Sequence, residues 1–539
     1  MSFAPMLSII APLVGLVMLL AVARIPLLQP YRRFVVPTAA LLSFLGVLFV
    51  PLEAARVVIV SRWQPSAFFG ASPALRAWPG MWALALAFSL ATAASALVQL
   101  SRVPQPRALL GIAGLGMLAA GLAGLWSDNL LMALIAWAGF DLAWGVGALA
   151  VGLPARRIAL GVGLGGLATM ALWAGALLAE GRGVGVSWRF LDVGGAGGVL
   201  LMIAALLRLG VYPFHLALPG EEGWELPGAA PLLLGPLLGL GLLAQLAGRD
   251  SDLFATAAWM EVLAVVTFIG GGALAWTRSG AGGGWPWGSL AALGGLLWAS
   301  LHAEATASVL AVGGAAWAAG TTLLHLHRGV ERSAPWWSVA AGLGGLALLG
   351  APLTGGWAAS SALVASLVAA PTAARVVGFL VGQALLTTAM VRRVLRPAAP
   401  DEPAGPLATA ARSAGLASAV LLLLFVGFLP RWLAADVSAL ALPRLLTRPG
   451  LSGWLLWGVG SAIGGAFARW ERRLRRRVEA VLGLLHDLLR MEWASQLLLN
   501  SLGRSSAFLG AVADVVEGPG AILWALAIFM LVMLIIVGR

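Results

Sequence analysis

The sequence predicts an all-α polytopic membrane protein with about 14–16 transmembrane helices. Apolar runs of about 20 residues, the length that crosses a bilayer's hydrocarbon core, recur from end to end. Of 539 residues, 60% are hydrophobic and only 10% are charged, too few to solvate a set of water-facing domains. Between the runs stand prolines, glycines and arginines, the punctuation expected of short loops.

Taken in order, these runs predict helices near 6–23, 34–51, 80–100, 107–125, 128–150, 156–179, 196–215, 228–247, 254–277, 287–303, 305–325, 336–370, 373–392, 409–430, 451–468 and 519–537. The first is read as a membrane helix rather than a cleaved leader, because no small-residue cleavage site follows Met6–Ala23. Asp128 and Asn129 suit the N-cap of the fifth helix. The twelfth is interrupted at Ala351-Pro352-Leu353-Thr354-Gly355-Gly356, a break tolerated where protein or water satisfies the freed backbone groups. Loops following odd-numbered helices carry more arginine, among them Arg32, Arg33, Arg156, Arg157, Arg392 and Arg393. The positive-inside rule then places those loops in the cytoplasm and the N-terminus outside.

From Arg469 to Gly518 the character changes. A basic run, Arg472-Arg473-Leu474-Arg475-Arg476-Arg477, opens a segment with apolar residues at Val481, Leu482, Leu485, Leu488 and Leu489, close to helical spacing. Such a helix lies on the lipid bilayer surface or braces partner subunits. Pro397–Pro406 is a short proline-rich linker.

Composition also excludes functions. The chain has no cysteine, which removes disulfides, thiolate-held iron–sulfur clusters and thiolate zinc sites. Its five histidines form no metal-ligand spacing, so no metal and no cofactor is expected within this chain. No dinucleotide-binding fingerprint sits between a strand and a helix, and no catalytic residues are assigned. The net charge of +12 fits cytoplasmic loops of a membrane protein, and no nucleic acid partner is expected. Every basic residue is arginine; unlike lysine, arginine stays charged when buried.

Three features carry the functional reading. Ser127-Asp128-Asn129 through Trp137 opens the fifth helix, with Asp141 one turn beyond Ala138. Arg208, followed by Pro213, His215 and Pro219, closes the seventh. Leu348-Leu349-Gly350-Ala351-Pro352 through Trp357 marks the break in the twelfth. Together these resemble the antiporter-like membrane subunits of respiratory complex I (NADH:quinone oxidoreductase), of membrane-bound hydrogenases and of Mrp-type sodium/proton antiporters, over roughly residues 80–430.

The resemblance implies inverted repeats of five helices with broken helices, plus a C-terminal lateral helix. It divides the chain into N-terminal helices at 1–103, a first repeat at 104–250, a second at 251–396, C-terminal helices at 397–468, a lateral segment at 469–518 and a final helix at 519–539. Breaks are expected at Pro213, at Pro231 and Pro236, and at Pro352. In that family a glutamate on the fifth helix and a lysine on the seventh form a charge couple that drives proton movement. Here Ala138 takes the glutamate's place, with Asp141 on about the same face, and Arg208 takes the lysine's. The histidine of the eighth helix, the lysine of the eleventh and the charge of the twelfth have no counterparts in this sequence. Glu261, His302 and Glu304 remain as further candidates.

Each candidate also has a structural reading: Arg208 and Asp141 as a packing pair, His215 as a hydrogen-bonding residue at a helix end, Glu261 as interfacial, and His302 and Glu304 as solvated loop residues. The resemblance implies a proton- or cation-translocating subunit, coupled to redox chemistry on partner membrane subunits, in the inner membrane of a bacterium. The alternatives are a structural subunit that has lost the pathway and a membrane partner in inorganic-carbon uptake.

Overall fold

A computed structural model describes residues 4–50, 57–60, 72–101, 108–180, 187–188, 191, 193–217, 226–249, 254, 258–278, 284–330, 336–397, 405–433 and 448–494, with scattered positions from 496 to 530. The predicted final helix at 519–537, most of the segment beyond 494, and the acidic stretch after Pro219 lie outside those residues. The chain divides into two compact units, residues 1–489 and 490–539. In the second, the Arg490 guanidinium pairs with Glu492 at 2.5 Å.

The first unit is an all-α polytopic membrane protein. Its helices are α1 (Ala4–Arg24), α2 (Arg32–Leu48), α3 (Pro79–Leu100), α4 (Ala108–Leu125), α5 (Leu130–Val151), α6 (Ala155–Glu180), α7 (Gly195–Leu209), α8 (Pro236–Ala247), α9 (Ala258–Thr277), α10 (Trp285–Leu301), α11 (Thr306–Leu326), α12 (Trp336–Leu348), α13 (Trp357–Ala369), α14 (Ala373–Val394), α15 (Pro406–Phe428) and α16 (Arg448–Arg490). Among the described residues, 11 helical stretches are long and apolar enough to cross a membrane. The other predicted crossings that fall within the described residues are the 17-residue α2 and α10, the short α7, and the broken pair α12 and α13.

Helix α3 is apolar all round and almost wholly buried, which marks it as the central helix. It is flanked by α2, α4, α11 and α15. By contrast α1 and α6 keep large apolar side chains such as Val17 and Met170 exposed, as lipid-facing helices do. Helices α9 and α10 approach so closely that a Cβ at Gly294 would lie 2.5 Å from the backbone nitrogen of Phe268, a separation only glycine permits.

The breaks fall where the prolines stand, with two adjustments. The seventh predicted helix was expected to reach residue 215, but α7 ends at Leu209 because Gly210 takes a left-handed conformation, φ 66°, that closes a helix. Pro213 follows a cis Tyr212–Pro213 bond, and Phe214–Ala217 forms a separate 3₁₀ turn. The predicted eighth helix is split into a 3₁₀ segment, Pro227–Leu233, which contains Pro231, and α8, which Pro236 opens. Residues 349–356 separate α12 from α13, with Gly350 left-handed and Pro352 in the turn.

Three further departures are informative. The predicted fifteenth helix does not stop at 468: α16 runs unbroken to Arg490, because arginines are good helix formers and no breaker intervenes. The long loop after α2 contains a small antiparallel hairpin, Val57–Ile59 with Ala74–Arg76. Of the expected cap pair, only Asn129 caps α5, accepting the Met132 N–H at 3.0 Å. Asp128 instead faces the buried Arg76 guanidinium at 3.6 Å and accepts the Ser187 hydroxyl.

One end of α14 ties several helices together. The Arg392 guanidinium donates to the carbonyls of Ala275 and Trp276 at the end of α9 and to that of Arg278, and pairs with Glu471 of α16 at 3.2 Å. Arg393 donates to Leu324 and His327 carbonyls at the end of α11. Helix C-termini expose unpaired carbonyls and a partial negative charge, and two adjacent guanidiniums satisfy both.

Candidate functional site

Asp141 lies near the middle of α5, about 17 Å from its start at ~1.5 Å per residue. That depth puts its carboxylate roughly halfway through a bilayer's hydrocarbon core. Arg208 reaches it from the last turn of α7. One guanidinium nitrogen pairs with Asp141 Oδ1, and the other donates to the Trp137 carbonyl at 3.0 Å. The guanidinium also lies over the Trp137 ring, 4.7 Å from its centroid, and over Phe140 at 5.3 Å. Both residues of the pair are buried.

The neighbouring helix leaves room for this pair. A Cβ at Gly165 of α6 would lie 2.5 Å from Asp141 Oδ1, so glycine there is what lets the carboxylate stand between α5 and α6. The pair is incompletely bonded within the chain: Asp141 Oδ2 and Arg208 Nε are buried without a protein hydrogen-bond partner among the described residues. A buried ion pair is tolerable only while it stays paired, and arginine cannot discharge itself by losing its proton.

His215 does not join this pair. It lies wholly buried in the 3₁₀ turn after α7, stacked on Tyr212 at 4.6 Å and edge-on to Trp287 at 5.6 Å. The Tyr212 N–H donates to Thr267 Oγ1 on α9, tying this turn to the second half of the chain.

Glu261 and His302 do come together. At the membrane end where α9 begins and α10 finishes, Glu261 Oε1 lies 3.3 Å from His302 Nε2 and accepts the Trp298 indole N–H at 3.1 Å. Its other oxygen pairs with Arg375 at 2.8 Å. Sequence reasoning passed over Arg375 because it sits in the first turn of α14, more than 100 residues away in the chain. Glu304 is exposed in the turn before α11 and joins neither group.

The break between α12 and α13 holds a different kind of centre. A cavity of about 480 Å³, open solvent included, is lined there by Gln383, Ser360, Phe268 and Trp317. The Gln383 amide donates to the Leu349 carbonyl at 3.1 Å and to Ser461 Oγ at 3.2 Å. Among the described residues, no ionisable side chain lines it. A lone amide in the middle of α14 was the available signal, and a search confined to ionisable groups misses it.

Near the Arg392 end, His327 follows α11 and its Nε2 lies 3.1 Å from the Val394 carbonyl. Burial, reinforced by the Arg393 charge, lowers its pKa from the ordinary 6.5 to about 4. The ring is therefore neutral at pH 7, with Nε2–H donating to that carbonyl. No group of three or more potential metal ligands occurs among the described residues.

Comparison with solved structures decides the fold. The chain superposes on a chain of the Mrp complex from Dietzia sp. DQ12-45-1b with a TM-score of 0.75 at 14% identity, covering 99% of itself and 62% of that chain. It has an antiporter-like membrane-subunit fold. It thus spans less than two thirds of the length of that Mrp chain. A chain of the archaeal membrane-bound sulfane sulfur reductase, a respiratory membrane complex, matches with a TM-score of 0.72 at 15% identity, over 98% of this chain and 99% of the other. A chain of respiratory complex I from Thermus thermophilus matches at 0.64 and 19% identity, over 86% and 99%. No protein-family model and no curated protein sequence matches the chain. The shared fold is carried by helix arrangement rather than by residue identity.

Proposed function

We propose that this chain is an antiporter-like subunit of a multisubunit membrane assembly and contributes to proton or cation translocation, coupled to redox chemistry on partner subunits. The observation that carries the reading is the buried, half-bonded Asp141–Arg208 pair at mid-membrane. A charge at that depth is costly and marks a pathway or a pairing. Because Arg208 keeps its proton, Asp141 is the exchangeable member of the pair. The fold shared with chains of the Mrp complex and complex I supports the same reading. In this proposal the Arg392 end faces the cytoplasm of a bacterial cell, the N-terminus lies outside and Glu261, His302 and Arg375 line the outer mouth.

Asp141→Asn tests it. In the purified assembly reconstituted into vesicles, ion uptake driven by the assembly's own reaction should fall at least tenfold, with the chain still assembled. Unchanged uptake would remove Asp141 from the pathway.

A second reading, a structural subunit without a through-path, is favoured by one observation: among the described residues, the cavity between α12 and α13 is lined only by neutral side chains. Retained assembly with no change in uptake on altering either centre would favour it.

A further inference from the structure

A second cavity lies where α1 and α3 finish and α2 and α4 begin, away from both centres. It encloses about 580 Å³, open solvent included. Arg32 and Arg33 of α2 stand at its mouth, and Gly114 of α4 and Pro231 of the 3₁₀ segment form its floor. Along α3 it extends from Leu100 down to Thr92, a depth of about 12 Å at ~1.5 Å per residue. That is most of one leaflet's hydrocarbon depth, about 15 Å.

The two wall hydroxyls and the Gln99 side-chain oxygen are already bonded. Thr92 Oγ1 donates to the Phe88 carbonyl and Ser95 Oγ to the Thr92 carbonyl, while Gln99 Oε1 accepts the Gly228 N–H. The wall therefore offers an apolar surface, completed by Leu19 and Val36. What lacks a counter-charge is the mouth. No carboxylate pairs with Arg32 or Arg33 among the described residues, and Arg33 meets only the Phe34 ring at 4.8 Å. Two guanidiniums at a membrane end, above an apolar shaft one leaflet deep, are complementary to a phosphodiester above an acyl chain.

We infer that this cavity binds one anionic phospholipid, its phosphate held between Arg32 and Arg33 and one acyl chain lying against α3 and α4 down to Pro231. A free phosphate would use the arginines and leave the shaft unexplained. A zwitterionic lipid would use the shaft and leave the arginine pair without a net anion.

Native mass spectrometry of the full chain, titrated in detergent with phosphatidylglycerol, phosphatidylcholine or inorganic phosphate, tests this. The wild-type chain should take up one phosphatidylglycerol with clear preference over phosphatidylcholine. Arg32→Gln with Arg33→Gln should weaken that binding about 30-fold, the factor expected of two surface arginines near an anionic headgroup. Gly114→Leu should block the shaft and abolish lipid binding of either headgroup. Gly114→Ala should not, because a Cβ there meets only Pro231 Cγ at 3.8 Å. Equal uptake of the two lipids, uptake unaffected by the arginine pair or by Gly114→Leu, or phosphate binding without lipid preference would each overturn the inference. Unchanged thermal unfolding of the arginine variant separates lost binding from lost folding.

Discussion

Each half of the membrane unit contains an interrupted helix, and the two differ in the polar groups they bury. In the first half, the end of α7 brings Arg208 to Asp141 on α5, a full ion pair in the middle of the layer. In the second, the break between α12 and α13 faces Gln383 on α14, and the cavity there holds an amide and a hydroxyl. The second half keeps its charges at its two ends instead: Glu261, His302 and Arg375 at one, and Arg392, Arg393 and Glu471 at the other. A broken helix therefore does not require an ion at its core. It requires that freed carbonyls find donors, and a neutral amide meets that need as well as a guanidinium does.

The largest test of this contrast removes one member of the ion pair. Arg208→Met should destabilise the unit by about 3–5 kcal/mol, because it leaves the Asp141 carboxylate buried without its counter-charge. Combining it with Asp141→Leu should restore most of that loss, since an apolar pair of similar volume carries no desolvation cost. Thermal unfolding in detergent at fixed pH measures both. If the double variant is no more stable than the single one, the pair is not the unit of stabilisation described above.

The buried histidine at the rim of the second half predicts a pH response of its own. His327 is neutral in the folded chain down to about pH 4 but protonates near 6.5 when unfolded. Between those values the unfolded state binds more protons, so stability rises with pH across this window and falls as the pH drops from 6.5 toward 4. The full difference amounts to about 3 kcal/mol for a group of this burial. His327→Gln should flatten that part of the stability–pH curve. A slope that persists unchanged would assign it to another group.

How far this arrangement was legible in the sequence depended on whether the determinant was local. Asp141 and Arg208 stood out because each is a lone charge in an apolar helix, and the three-residue step from Ala138 preserves the helix face. The breaks at Pro231, Pro236 and Pro352 were legible for the same reason. The end of α7 was misjudged because Pro213 looked like the breaker, while Gly210, three residues earlier, supplies the left-handed cap. The continuity of α16 was hidden because a basic run reads as a membrane boundary, although nothing in it stops a helix. The meeting of Glu261, His302 and Arg375 depends on α9, α10 and α14 converging, and no local pattern encodes that.

A smaller effect is expected at the neutral centre. Gln383→Leu deprives the Leu349 carbonyl of one donor, but the Trp457 indole N–H still donates to that carbonyl at 2.9 Å. With the bond to Ser461 Oγ lost as well, the cost should fall near 2 kcal/mol, the net worth of two hydrogen bonds at about 1 kcal/mol each, rather than the larger penalty of an orphaned group. Thermal unfolding measured beside Arg208→Met gives the comparison directly. A loss as large as the ion pair's would mean that the amide organises the second half as strongly as the charges organise the first.

The smallest effect separates a lining residue from a working one. Ser360 lies in the same cavity, but its hydroxyl donates to the Gly356 carbonyl one turn back in its own helix, at 3.2 Å. Such a bond duplicates what the helix already provides, so Ser360→Ala should change stability by no more than about 0.5 kcal/mol. Ion uptake by the reconstituted assembly should also stay at the wild-type level if the neutral cavity is only a packing feature. A loss of uptake without a loss of stability would mean that the hydroxyl serves a passing ion or water. The second half would then take part in translocation through neutral ligands, and the contrast between the halves would lie in the kind of pathway each provides rather than in its presence.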